Sequence, residues 1–216
     1  MAEVKSRVLV IGATGRIGRE LVKASLADGH PTIAFARPSA FSYPQKSSLL
    51  HSFTPSLTPV LSSSSTVIWE MKAKAFFGEM FLTRVGQGSL NDYACLLQAV
   101  KQADVVICAL PSSLILEQKI LINAIKEAGC IRRFVPSEFG ADPDKVQILN
   151  MDYGLYKNKA EIRRFIESEG IPYTYICCNF FMTYLLPSLV QPGCMVPPRD
   201  KLTIYGDGNS KAVFVK

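Results

Sequence analysis

The stretch RVLVIGATGRIG, residues 7–18, decides how the chain folds, because two periodicities meet inside it. Residues 7–11 form a short, nearly continuous apolar run, the pattern of a strand buried on both faces, which belongs to a parallel sheet covered by helices. From Ile17 onward the apolar residues recur at helical spacing. The glycines at 12, 15 and 18 mark the turn between the two. Working outward, the same alternation returns. Strands are expected at residues 7–11, 32–36, 104–109, 132–136 and 173–177, and helices at 17–28, 92–102, 114–128, 153–169 and 180–190. Gly29, Gly129 and Gly170 follow three of these helices, as left-handed C-terminal caps require. The fold class expected is α/β, a doubly wound parallel sheet of the NAD(P)-binding Rossmann kind.

One stretch breaks the rhythm. Residues 53–86 carry prolines and a serine run, followed by an apolar segment of no clear period. A third strand is due here, and only residues 80–85 offer one. The residues before it read as an irregular, poorly ordered insertion, since loops of that length are uncommon inside compact domains.

The bulk composition narrows the function classes. In 216 residues, 48% are hydrophobic and 19% charged, enough apolar content for one sizeable core. The net charge of +6 comes from basic residues scattered among acidic ones, with no basic block interleaved with aromatics, so nucleic acid is not an expected partner. Six cysteines and two histidines lack metal-ligand spacing, so no metal site is expected and the thiols read as reduced. The start of the chain has no signal-peptide pattern, and the apolar stretch 171–186 is broken by Pro172, Thr174, Asn179 and Thr183. A cytoplasmic protein without a membrane span is expected.

Gly12, Ala13, Thr14, Gly15, Arg16, Ile17 and Gly18 lie between a strand and a helix, where a dinucleotide site needs glycines. Gly12 allows the tight turn, Gly15 lets the backbone approach a pyrophosphate, and Gly18 lets helix and strand pack closely; the helix N-terminus then presents N–H groups and a positive dipole end. The second strand ends in Arg37 and not in an acid, so the cofactor expected is NADPH, its extra phosphate neutralised by Arg37 and by Lys46.

Ser137 and Phe139 follow the strand at 132–136, where open α/β sheets hold ligands. A nicotinamide edge would lie there, although Ser137 also fits as a turn cap. Two readings of the proton-transfer group stay open on spacing alone. Tyr153 and Lys157 have the Tyr-x-x-x-Lys spacing of short-chain dehydrogenases. Lys159, four residues before Arg163 on the same helix face, becomes a general base if burial or a neighbouring cation lowers its pKa.

VLVIGATGRIG, Arg37 with Lys46, DVVICA, AIKEAG, RRFVPSEFG, KAEIRRFIESEGIPYTYICCN and PPRDKLTIYGDGN, in that order, resemble the isoflavone reductase-like family of NmrA-type atypical short-chain reductases. The likeness covers nearly all of the chain outside residues 53–86. DPDK at 142–145 with ICCNFF and LLPSLVQPG looks most like the branch of probable pinoresinol–lariciresinol reductases. The resemblance implies that residues 12–18, Arg37 and Lys46 hold NADPH, that Lys159 is the general base, and that Arg163 is a further cofactor contact. It implies reductive opening of a benzylic ether in a small aromatic phenylpropanoid: the base removes a phenolic proton, the ether C–O bond breaks to a quinone methide, and hydride adds to the benzylic carbon. Phenylcoumaran benzylic ether and isoflavone reduction are the alternatives within the family. A non-catalytic NADPH-binding regulator, or an inactive truncated form, are the alternatives outside it.

Two departures count against particular activities: Ala141 stands where leucoanthocyanidin reductases have histidine, and Asn179 where isoflavone reductases have histidine. Family members also continue well beyond the equivalent of Lys216. The organisation expected is therefore an NADPH-binding domain at 1–178, with the insertion at about 53–86, and an incomplete C-terminal substrate domain beginning at 179–216. Homodimerisation is left open.

Overall fold

A computed structural model describes residues 4–53, 58–61, 67–70, 83–146, 154–189, 191, 194, 196–204, 207, 209, 211 and 213–215, with backbone alone at 58–61, 67–70, 83–87 and 184–185. Strand β1 (Val8–Ile11) leads into α1 (Arg16–Ala27), then β2 (Thr32–Ala36), α2 (Ser39–Ser42) and α3 (Pro44–Ser52). Strands β3 (Thr58–Leu61), β4 (Val67–Glu70) and β5 (Thr83–Gln87) follow, then α4 (Tyr93–Val100) and β6 (Val105–Cys108). A 3-10 turn at Ser112–Glu117 enters α5 (Gln118–Ala128), followed by β7 (Arg133–Val135) and α6 (Leu155–Ser168). The last elements are β8 (Phe180–Phe181), α7 (Met182–Leu185), a 3-10 turn at Leu186–Ser188 and β9 (Phe214–Val215).

The main sheet runs β3-β4-β5-β2-β1-β6-β7, and the five strands from β5 to β7 are mutually parallel. Strand β1 sits inside the sheet, and its period of two splits the core. Leu9 and Ile11 point into a cluster with Leu96, Val100, Leu121, Ile122, Ile162 and Ile166 from α4, α5 and α6. Val8 and Val10 point the other way, onto Val22 of α1 and onto Leu50 and Phe53 at α3. Helices thus cover both faces, which is the doubly wound arrangement expected from the sequence.

Within residues 53–86 the reading of an irregular excursion is corrected at β3 and β4. These strands pair antiparallel with each other, and β4 pairs antiparallel with β5, which extends the sheet. Valine, isoleucine, threonine and tryptophan favour this conformation, and Pro59 is tolerated because β3 is an edge strand. Strand β5 is the missing third strand of the βαβ pattern, and residues 54–57, 62–66 and 71–82 lie outside the described residues.

Two other expectations change. The strand foreseen at 173–177 is reduced to one bridge: Tyr173 pairs with Phe134, and Thr174 N–H donates to the Phe134 carbonyl at 2.9 Å. Its neighbour β7 is only three residues long, so the ladder has little to extend along. The helix foreseen at 180–190 is instead the short strand β8, paired with β9, then one turn of α7 and a 3-10 turn. Pro187 cannot supply the N–H that a continuing helix needs. Among the described residues no helix is long and apolar enough to cross a membrane, and no cluster of three metal-ligating side chains occurs.

Candidate active site

The turn from β1 to α1 is built around atoms too close to admit side chains. Gly12 has φ +80°, and a Cβ there would lie 2.4 Å from the Ala109 carbonyl oxygen after β6. A Cβ on Gly18 would lie 2.1 Å from the Gly12 carbonyl oxygen, so only glycine lets α1 sit this close to the turn. Gly15 donates its N–H to the Gly12 carbonyl at 2.9 Å and caps α1 in an extended conformation. No side chain caps this end of the helix and no acid stands in its first turn, so the positive end of the helix dipole faces the space in front of it.

That space is a cleft of about 800 Å³ at the carboxyl ends of the parallel strands. It lies where chain order reverses: β2 and β5 lie to one side of β1, and β6 and β7 to the other. Gly12, Thr14, Gly15, Arg16 and Ile17 line it, as do Arg37 and Lys46 from the end of β2 and from α3. Ala13 is fully buried in the core. Gly18 supports the turn from behind. The Lys46 amine lies 5.2 Å from the centre of the Tyr43 ring, which holds the cation near the cleft.

The other end of the cleft is lined by Ser137, Glu138, Phe139, Leu155 and Lys159. Ser137 is anchored: its hydroxyl donates to the Leu110 carbonyl at 2.9 Å, and its N–H donates to Gln118 Oε1 at 2.8 Å. It therefore ties the end of β7 to the loop after β6. Lone pairs on the hydroxyl oxygen remain to accept a bond from a ligand.

Lys159 projects from the second turn of α6 and is 6% exposed. Its amine donates to the backbone carbonyl of Glu138 and lies 5.5 Å from the Tyr156 ring centre. A Cβ on Gly140 would come within 3.1 Å of this amine, so glycine there leaves room for it. Burial lowers the pKa of Lys159; Glu138 and Cys177 oppose the shift, and the Arg163 cation adds to it. The result is an amine held below the ordinary lysine range at the wall of a cleft. Lys157, by contrast, is exposed and does not line the cleft, and Tyr153 lies outside the described residues. Of the two readings left open by spacing, the geometry favours Lys159.

Arg163 occupies a different place from the cofactor contact that the resemblance implies. It is 4% exposed and does not line the cleft. Its guanidinium donates to both carboxylate oxygens of Glu138, at 3.1 and 3.0 Å, to Asp142 at 2.7 Å and to Asp144 at 2.9 Å. Three carboxylates brought together by the loop after β7 claim the side chain, and the Tyr175 ring lies 4.4 Å from it.

The cleft also takes in residues that were not singled out from the sequence: Gly88, Ser89, Leu90 and Asn91 after β5, and Ser112 and Glu117 beside α5. A Cβ on Gly88 would meet the Phe35 ring at 2.5 Å. The available signal was positional, since loops after parallel strands form such clefts, but the strand before Gly88 was itself blurred by the irregular stretch.

Comparison with known proteins places this geometry. The chain is 48% identical, over 98% of its length and 59% of the relative's, to probable pinoresinol-lariciresinol reductase 3 of Arabidopsis thaliana. It is equally identical, over 98% of its length and 61% of the relative's, to phenylcoumaran benzylic ether reductase IRL1 of Ginkgo biloba. The chain thus spans about three fifths of the curated relatives it matches. Among solved structures, AtPrR2 with NADP+ and (+)-pinoresinol superposes with a TM-score of 0.77 at 37% identity, covering 99% of this chain and 62% of that one. The model of the NmrA-like family matches residues 4–211, almost the whole sequence, and the chain belongs to that family.

Proposed function

We propose that this chain is the NADPH-binding and proton-transferring part of a reductase that opens benzylic ethers of plant phenylpropanoids, with lignans of the pinoresinol and lariciresinol type as substrates. The observation that carries the reading is one cleft that joins the glycine turn, the Arg37–Lys46 cation pair and the buried Lys159 amine. The relatives' names point to the same substrate class, and the solved relative holds NADP+ together with (+)-pinoresinol.

The residues present fit a dinucleotide phosphate. Side chains at Gly12 and Gly18 would collide with backbone oxygens, so the close-packed turn is specified, and the uncapped N-terminus of α1 is suited to a pyrophosphate. Gly12, Thr14, Gly15, Arg16 and Ile17 would hold the pyrophosphate, and Arg37 with Lys46 the additional phosphate. When bound, NADPH supplies the hydride for the benzylic carbon. Lys159 takes the phenolic proton at Nζ, because its depressed pKa keeps a larger fraction of the amine neutral. Loss of that proton drives electron density through the ring to the benzylic carbon, and the C–O bond breaks with its electron pair leaving on oxygen as an alkoxide that takes up a proton. Once hydride has added to the benzylic carbon, the phenolate that re-forms takes its proton back from the Lys159 ammonium. Ser137 accepts a hydrogen bond from the ligand at the same end of the cleft.

The domain reading follows the same line: residues 1–178 hold the cofactor, and residues 179–216 begin a substrate-binding region. Incubation of the protein with pinoresinol and NADPH is expected to yield lariciresinol, and Lys159→Met to cut its rate of formation by at least about a hundredfold while leaving NADPH binding in place. Absence of turnover of pinoresinol, lariciresinol and a phenylcoumaran by folded, NADPH-bound protein would overturn the assignment. Conversion of the phenylcoumaran alone would move it to the second reading, which the equal identity to the Ginkgo biloba relative favours.

A further inference from the structure

The best-buried ion pair among the described residues joins Arg163, which does not line the cleft, to Glu138, which does. Arg163 and Glu138, 5% and 2% exposed at their side chains, join in a forked arrangement through the guanidinium nitrogens Nε and Nη2. Removing two charges from water is costly, and a pair of this kind adds little to stability compared with apolar packing. Its geometric consequence is specific. Glu138 is the residue whose backbone carbonyl receives the Lys159 amine, and Arg163 stands one helical turn beyond Lys159 on α6. The same guanidinium reaches Asp142 and Asp144, so it pins both ends of the loop that carries Phe139, a non-glycine residue at φ +27°, and Gly140, which faces the amine.

We infer that Arg163 is a positioning residue for Lys159: by clamping Glu138, Asp142 and Asp144 it fixes the loop whose Glu138 carbonyl aims the lysine amine into the cleft. This inference rests on the reading of Lys159 as general base and adds the device that holds it. The Lys159 amine faces Glu138 and Gly140 from the loop, Tyr156 and Arg163 from its own helix, and Cys177 and Cys178 from the segment after α6. Among these groups Arg163 alone contacts three carboxylates at once.

The test is Arg163→Lys in the full chain. Lysine keeps the positive charge near Lys159 but cannot make the forked contact or span three carboxylates. Two quantities are read beside the NADPH dissociation constant: the pH at which Lys159 is half-labelled by an acylating reagent, followed by mass spectrometry, and the pH profile of kcat. The expected result is a labelling midpoint that moves up toward the ordinary lysine range. A fall in kcat of about tenfold or more is expected with it, as misplacement of a reacting group produces, while NADPH affinity is unchanged. Asp142→Asn, which loosens the same clamp and leaves in place the Glu138 carboxylate that raises Lys159, should move the same readouts in the same direction and serves if the first variant does not fold. A role confined to stability would lower the melting temperature and leave the labelling midpoint where it was, which overturns the inference. Loss of NADPH affinity with kcat retained would also overturn it, by making Arg163 a cofactor contact. Should the wild-type protein turn over no ether, the functional reading fails, and the labelling midpoint still decides the positioning role.

Discussion

At Lys159 the chemistry and the stability of the chain pull in opposite directions. Burial depresses the folded-state pKa below the unfolded value. Between those two values the unfolded chain binds more protons, so stability rises with pH across that window as the lysine's unfavourable contribution fades. Lys159→Met is therefore expected to raise the melting temperature at neutral pH, and to remove at least about a hundredfold of kcat, the typical contribution of a general base. Calorimetry and steady-state kinetics on one preparation check both halves. For the wild type, the proposed role of Lys159 as general base predicts a kcat that climbs with pH and levels off below the ordinary lysine range, since a base acts when deprotonated. Arg37 is the complementary case, a cation whose value lies in its charge. Its replacement by alanine should weaken NADPH binding by about tenfold to a hundredfold, the worth of a charge-assisted hydrogen bond, with NADH binding little changed. Equal losses for both nucleotides in titration would contradict the phosphate contact.

Among the elements, β1 and β6 are joined at their entrance by Arg7 and Asp104. The Asp104 carboxylate accepts from the Arg7 backbone N–H at 2.8 Å and from its guanidinium at 3.1 and 2.9 Å. The Arg7 hydrogen bond holds the Asp104 carboxyl at about 2. Its stabilisation is complete above the ordinary carboxylate value and is lost as pH falls through about 2. Because Arg7 is half exposed, Asp104→Asn should cost only about 1 kcal/mol at neutral pH, measured by denaturant unfolding, and the difference should vanish in acid. This scale also shows what the sequence made legible. The β1 turn and the C-terminal end of α5 were readable because local chemistry sets them: Gly129 takes φ +65° at the cap of α5, where a side chain would be strained, whereas the helix foreseen from residue 114 begins as a 3-10 turn and becomes α5 only at Gln118. Strand β3 was not, because an edge strand leaves a weaker apolar signature than a buried one and Pro59 reads as a breaker, and β4 was obscured by the serine run before it and the aperiodic apolar stretch after it. Residues 173–177 misled in the other direction, since an apolar run predicts a strand only where a partner is long enough to pair with. The Glu138–Arg163 clamp was hidden because 25 residues separate its members, and spacing along one helix cannot reveal a partner on a loop.

For the molecule as a whole, the cleft is the place where both halves of the core can be stabilised at once. The glycine turn leaves β1, which feeds Leu9 and Ile11 to one cluster and Val8 and Val10 to the other, and Lys159 stands on α6, which contributes Ile162 and Ile166 to the first. A ligand that spans the glycine turn and the α6 end of the cleft binds only the folded arrangement, so it must raise the melting temperature by mass action. At a hundred times its dissociation constant NADPH should add about 2.7 kcal/mol. For a chain of 216 residues that corresponds to a shift of roughly 5–10 °C. NADH at the same concentration should give a smaller shift, because Arg37 and Lys46 then face no phosphate, and raising the salt concentration should narrow the gap by screening those two cations. Arg37→Ala should close most of the gap by lowering the NADPH shift and leaving the NADH shift in place. Equal shifts for the two nucleotides in the wild type would mean that the cations at the end of β2 and on α3 do not select the cofactor.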